Sequence, residues 1–226
     1  MRASESGLRI LRQDGQILLC VKPAGVVSTD VPGGAPALAR EALGDASADV
    51  RTVHRLDQVV GGLLLLARGK EAASALGHQI MEGRFEKEYL AAVHGAPPGG
   101  TLRDLLWRDR AERKSYVVTT PRKGAQEAVL DYTVLDAAAG LSLVRVVLRT
   151  GRTHQIRAQF SSHGWPLAGD RKYGTLTDDC PIGLWSYRLA FDHPATGERM
   201  DVTLPPPETE PWTAFGEQFL RTGCPG

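Results

Sequence analysis

The segment that most constrains this chain is Gly61–Ala67, its longest apolar stretch: two glycines, four consecutive leucines and an alanine. A membrane-spanning helix needs about 20 apolar residues, so this run is far too short to cross a bilayer. Leu63–Ala67, bounded by Gly62 and Gly69, instead predicts a strand buried on both faces. Directly before it stands His54-Arg55-Leu56-Asp57, a charged tetrapeptide against a core strand. Charges in that position are costly unless paired or functional. In extended backbone Arg55 and Asp57 share one face, and His54 and Leu56 take the other. A structural Arg–Asp pair at a strand edge and a functional pair both fit that pattern.

Elsewhere the periodicities predict a strand pair, Gly7–Arg12 with Ile17–Lys22, turned at Asp14-Gly15. They predict helices at Ala37–Leu43 and at Lys70–Met81, the second with Ala73, Leu76 and Ile80 on one face. Lys87–Val93, Val129–Leu135 and Leu141–Leu148 read as strands, and Leu184–Phe191 with Arg199–Leu204 as a closing pair. Arg103 to Lys123 reads as charged and irregular. Thr153 is positioned to cap a helix from His154 to about Ser162, and a last helix is expected at about 209–221. Strands and helices do not alternate strictly, which disfavours a doubly wound parallel fold. The expectation is one α+β domain over residues 1–226, its core at about 7–205, with a mixed, mostly antiparallel sheet.

Composition excludes several classes. With 226 residues, 42% of them hydrophobic and 23% charged, the chain is an ordinary globular one. Cys20, Cys180 and Cys224 form no CxxC pair, so neither a zinc ribbon nor a disulfide framework is expected, and a reducing, cytoplasmic setting fits. The histidines supply no HExxH pattern, so no metal site is expected. Met1–Asp14 is charged throughout, unlike a secretory leader. Phosphate-cradling glycine motifs and the GxSxG elbow are absent. The 27 Lys and Arg against 26 Asp and Glu argue at first against a nucleic-acid binder. That total averages over the chain: Arg145–Lys172 carries six basic residues and a single acid, Asp170. A local basic face on a near-neutral protein suits backbone contacts around a specific pocket.

Three further segments carry candidate chemistry. Gly151-Arg152-Thr153-His154-Gln155-Ile156-Arg157 leads from a glycine into a helix start, where backbone N–H groups favour an anion and Arg152 and His154 add to the field. An ordinary capped helix with solvated arginines fits as well. Lys87-Glu88-Tyr89 places a tyrosine in a strand, where packing is the usual role. Gly169-Asp170-Arg171-Lys172-Tyr173-Gly174 reads as a turn closed by two glycines.

Taken together these segments resemble the RluA-type family of RNA pseudouridine synthases. His54–Asp57 matches its HRLD motif, Lys22-Pro23-Ala24-Gly25 its KPaG segment, and Lys87–Tyr89 the strand of its tyrosine. Gly151–Arg157 matches its GRTHQ[IL]R motif, Gly169–Gly174 its GDxxYG turn, and Phe191–Glu198 its C-terminal hairpin. The matches run in the family's order from about Leu11 to Pro205. Val60-Gly61-Gly62 stands where Thr-Ser-Gly is common, and Leu184-Trp185-Ser186 where Leu-His-Ala is common. Only about twenty residues precede Lys22, too few for the S4-type module of many relatives, so RNA selection is expected from the catalytic face itself.

The resemblance implies a pseudouridine-synthase-like sheet flanked by helices around a catalytic cleft. It implies isomerisation of uridines in ribosomal or transfer RNA, with base flipping and without cofactor or metal. It makes Asp57 the catalytic carboxylate, Arg157 its salt-bridge partner and Tyr89 the wall of the pocket. Arg55, His54, Arg152, Thr153, His154, Lys172 and Tyr173 are the expected RNA contacts, with further backbone contacts from Arg103–Lys123. A monomer, no membrane and a cytoplasmic location are expected. A two-carboxylate glycosidase would need a partner for Asp57, for which Asp170 is a poor candidate. A non-catalytic RNA-binding module would have no use for Asp57, Tyr89 and Arg157.

Overall fold

Asp14-Gly15 turns the chain between β1 (Arg9–Gln13) and β2 (Ile17–Lys22). The Asp14 Oδ1 accepts the backbone N–H groups of Gln16 and Ile17 at 2.8 and 3.0 Å, the local bonding that makes aspartate a turn former. The computed structural model describes residues 7–174 and 177–216. They form two compact units, one from residues 7–87 and 186–204, the other from 88–185 and 205–216.

In the first unit, α1 (Ala35–Leu43) follows β2, starts with Pro36 in its first turn and ends at Gly44 in the left-handed conformation (φ 67°). β3 (Val50–Thr52), β4 (Gly61–Arg68) and α2 (Lys70–Met81) come next. β2 and β4 run antiparallel from Ile17 opposite Ala67 to Lys22 opposite Gly62. This register sets Ile17 and Leu19 on the same face as Leu63, Leu65 and Ala67, where Ala72 and Leu76 of α2 close the core. β4 is buried along its length except at Arg68, as its unbroken apolar run requires. Ala73 and Ile80 only flank this core. The α2 residues that face inward are Ala72, Leu76 and Gln79. Gln79 is buried because its amide pairs with the backbone of Asp192, donating to the carbonyl at 2.7 Å and accepting the N–H at 2.8 Å. Cys20 is buried too, and burial pushes its thiol up to about 12, so it is inert at neutral pH.

In the second unit, β5 (Glu86–His94), β6 (Gly100–Asp109), β7 (Lys114–Val118), β8 (Gln126–Ala138), β9 (Leu141–Leu148) and α3 (Gln155–Ser162) follow in sequence. Strand order is β5-β9-β8-β6-β7, each neighbouring pair antiparallel. Ala158 of α3 packs on Leu106 of β6 and Ala128 of β8, with Val117 and Tyr173 alongside. The chain then returns to the first unit through β10 (Leu184–Asp192) and β11 (Arg199–Thr203), an antiparallel pair. β10 lies beside β4, so the first unit reads β1-β2-β4-β10. Gly62 is required at that junction: it sits at φ +117°, and a Cβ there would fall on the Ser186 backbone.

Two expectations are corrected. Arg103–Lys123 is not irregular but forms most of the β6–β7 hairpin. The alternation of Leu102 and Leu106 is interrupted in the sequence by the inward Asp104, which the fold accommodates by bonding it to Gln159 Nε2 at 2.7 Å and to His163 at 3.2 Å. Within the described part of the last helix expected at about 209–221, the chain forms a 3-10 turn over Trp212–Ala214, ended by Phe215 in extended backbone. Trp212 and Phe215 are buried, so this segment is fixed by two anchors rather than by a helical face. Residues from 217 onward lie outside the described residues. No described helix is long and apolar enough to cross a membrane.

Candidate active site

The HRLD segment forms the loop between β3 and β4, and its side chains alternate as extended backbone demands. His54 and Leu56 are buried, Arg55 is exposed and Asp57 is half-buried. The loop is fixed through its backbone. Ser28 Oγ donates to the Leu56 carbonyl at 2.9 Å and accepts the Leu56 N–H at 3.0 Å. The Val60 N–H closes a turn onto the Asp57 carbonyl at 3.0 Å, and the Gly25 N–H reaches the Gln58 carbonyl at 2.7 Å.

Lys22 completes this frame. It has no exposed surface, and its Nζ donates to the carbonyls of Pro23 at 2.9 Å, Val26 at 2.7 Å and Gln58 at 3.2 Å. One ammonium thus ties the Lys22–Val26 turn to the peptide that follows Asp57. Burial pulls the Lys22 amine down to about 8, against the opposing pull of the Asp57 charge. The sequence shows Lys22 as the end of an apolar strand and the first residue of the KPaG match, with no role attached to it. A lysine continuing a buried strand was the available signal.

His54 is a core residue, which corrects its assignment as an RNA contact. Its Nε2 accepts the Leu65 N–H at 3.0 Å, and its ring lies 5.2 Å from that of Phe85. Burial, aided by the charge of Lys87, pulls its pKa down to about 3, so the ring is neutral and offers no charge to a phosphate.

In the second unit, Tyr89 is buried on β5, opposite Val146 of β9. Arg157, on α3, is also buried and grips Asp170 in a bidentate pair, Nε to Oδ2 at 2.8 Å and Nη2 to Oδ1 at 2.7 Å. Asp170 Oδ1 also accepts the N–H groups of Lys172 and Tyr173, at 2.9 and 3.1 Å. Burial alone would raise the Asp170 carboxyl. The Arg157 bonds and charge, with those two N–H groups, outweigh it and hold the carboxyl below the ordinary range. The preceding Gly169 is at φ +66°, and a Cβ there would meet the carbonyls of Cys180 and Pro181. What reads in sequence as a plain turn is the socket that fixes Arg157. Its signal was an aspartate two and three residues before the N–H groups it accepts.

The start of α3 differs from expectation as well. Thr153 does not cap it. His154 holds the N-cap position in the left-handed region (φ 55°), without a side-chain cap. The Gln155 side chain ties the loop before the helix to β8, accepting the Arg152 N–H at 3.0 Å and the Thr150 hydroxyl at 2.8 Å while donating to the Val129 carbonyl at 3.1 Å. His154 Nδ1 is bonded to Tyr173 Oη at 2.8 Å, and that oxygen accepts the Ser115 N–H at 2.7 Å. Thr153 Oγ1 accepts from Arg108 at 3.2 Å, and Lys172 Nζ donates to the carbonyls of Glu112 at 3.3 Å and Arg113 at 2.8 Å. Thr153, His154, Lys172 and Tyr173, expected to face RNA, thus engage one another and the β6–β7 hairpin. Arg152 donates through Nε to the Glu127 carbonyl at 2.9 Å. Among the described residues no group of three or more His, Cys, Asp or Glu is placed to hold a metal ion.

The family described as RNA pseudouridylate synthase matches residues 16–162, a span that includes Lys22, Asp57, Tyr89 and Arg157. A Bacillus subtilis protein named uncharacterized RNA pseudouridine synthase YlyB is 34% identical over 219 residues, covering 91% of this chain and 71% of that protein. Ribosomal large subunit pseudouridine synthase D of Pseudomonas aeruginosa is 34% identical over 232 residues, covering 93% of this chain and 72% of its own. In fold, human RNA pseudouridylate synthase domain containing 1 superposes with a TM-score of 0.74 at 24% identity, over 92% of this chain and 88% of that one.

Proposed function

This chain belongs to the RNA pseudouridine synthase family, and on that premise we propose that it isomerises specific uridines of ribosomal RNA, transfer RNA or both, with Asp57 as the catalytic carboxylate. In this isomerisation the C1′–N1 bond breaks, the uracil turns, C1′ bonds to C5, and the proton leaving C5 is balanced by one gained at N1. No net oxidation occurs. A carboxylate suits the work as nucleophile or base. The observation that carries the assignment is the HRLD loop: its backbone frame turns Asp57 and Arg55 away from the core while His54 and Leu56 pin it. A target uridine inside a stacked strand must be flipped out, which favours loops and distorted stems. In this reading Tyr89 forms the wall against the uracil, Arg157 supports the ionised carboxylate, and Arg55 fills the space of the flipped base or holds a phosphate. Arg152 adds a backbone contact. Residues 1–226 act as one catalytic domain, as a monomer in the cytoplasm. Asp170 is committed to Arg157, which weighs against a two-carboxylate hydrolase.

The test is direct. Ribosomal and transfer RNA transcripts are incubated with the protein and mapped by carbodiimide adducts at single-nucleotide resolution. Adducts at discrete uridines in either RNA are expected. RNA of both classes left free of adducts would overturn the reading.

A further inference from the structure

The β6–β7 hairpin carries an aromatic surface that the reaction at Asp57 does not use. Trp107 and Tyr116 are direct cross-strand partners, with ring centroids 6.4 Å apart and planes 28° from parallel. Alternation along the strands sets them opposite the face that packs on α3, where Leu106 and Val117 lie. Both rings are half-buried, and the exposed Arg122 lays its guanidinium over the indole, 3.7 Å from the ring centroid. Residues 107–123 contain six basic and two acidic side chains, a local excess that the near-neutral whole conceals.

The hairpin is also held in place. Ser115 donates its N–H to Tyr173 and its hydroxyl to the Thr153 carbonyl at 2.7 Å, and Lys172 grips the turn through the carbonyls of Glu112 and Arg113. A fixed layer of indole, phenol and guanidinium in a positive field has the chemistry of a nucleobase stacking site. Every base offers a π face, and both aromatic rings and guanidinium planes accept it. A half-buried tryptophan serving only as hairpin packing would need neither the layered guanidinium nor the surrounding charge.

We propose that Trp107, Tyr116 and Arg122 form a stacking platform for an unpaired base of the RNA strand, separate from the target uridine. The proposal rests on RNA being the substrate and assigns the hairpin a share in choosing single-stranded targets.

The test measures binding of the full chain to three probes of equal length: a single-stranded RNA of mixed sequence, the same strand with abasic sites, and its blunt duplex. Trp107→Ala and Arg122→Ala are each expected to weaken binding to the intact single strand by about tenfold. Binding to the abasic strand and the duplex should change less than twofold, and Trp107→Phe should retain most of the affinity. Equal losses on all three probes would reduce the surface to a charge contact and overturn the proposal, as would unchanged binding to the single strand. Carbodiimide mapping on the same proteins keeps the two readings apart. Loss of stacking should raise the RNA concentration needed for half-maximal modification, whereas a failure of the proposed function abolishes modification in the wild type while the three-probe comparison still scores the platform.

Discussion

The loop that carries Asp57 and the helix that carries Arg157 are fixed by different means. The loop around Asp57 is held by its backbone: Ser28 Oγ binds both the N–H and the carbonyl of Leu56, and Lys22 binds three carbonyls. Arg157 is gripped by a buried carboxylate, Asp170, itself set by two N–H groups. That frame around Asp57 spreads its load over several backbone groups. A buried ion pair concentrates it, because removing one partner leaves the other charge desolvated. The first arrangement should therefore tolerate the loss of a contact better than the second.

Asp170→Asn is expected to have the largest effect on stability. It removes the negative half of a buried pair, a loss of about 3–5 kcal/mol, and it should lower RNA turnover in parallel by releasing Arg157. Chemical denaturation measures the first effect and turnover at saturating RNA the second. Stability within about 0.5 kcal/mol of wild type, the range of a neutral surface change, would mean that the pair does not anchor α3.

Lys22→Met should cost less, about 2 kcal/mol. Three carbonyls lose their donor, but the penalty for burying an ammonium disappears with it. A loss exceeding that of Asp170→Asn would invert the comparison.

The pH dependence sharpens it further, with opposite ends of the scale for the two regions. The Asp170 carboxyl is held below its ordinary value, so its contribution is complete above the unfolded carboxylate range, about pH 4, and is lost as pH falls through the folded value. The stability gap between wild type and Asp170→Asn should close in acid. Lys22 is held down at about 8 against the ordinary 10.5, so the unfolded chain binds the extra proton between those values. Stability linked to Lys22 therefore rises as pH climbs from about 8 to 10.5, by up to about 1.4 kcal/mol per unit, and the gap between wild type and Lys22→Met should widen there. Gaps that stay flat with pH would contradict both assignments.

What the sequence made legible follows from how each feature is encoded. The β4 strand and the alternation of His54–Asp57 are written as a period-two pattern beside an apolar run, and both stand in the structure. The α2 boundaries, Lys70 to Met81, were readable from a different period, the helical spacing of Ala73, Leu76 and Ile80. Lys22 and Asp170 were not, because each is a single polar residue whose meaning lies in what it touches: carbonyls as far off as Gln58, and an arginine on another element. β6 was hidden by Asp104, which looks like surface charge until Gln159 is placed against it. Thr153 looked like a cap because hydroxyls commonly are; its hydroxyl instead accepts from Arg108 of β6, a partner far off in sequence.

The central claim is that Asp57, presented by this frame, performs the glycosidic exchange. RNA carrying tritium at C5 of uridine releases it only when C1′ has bonded to C5 and the C5 proton has left. With wild type, single-turnover release at the modified uridines is expected, and with Asp57→Asn none above the enzyme-free control while RNA affinity stays within about twofold. Tritium release by Asp57→Asn at the wild-type rate would contradict the account.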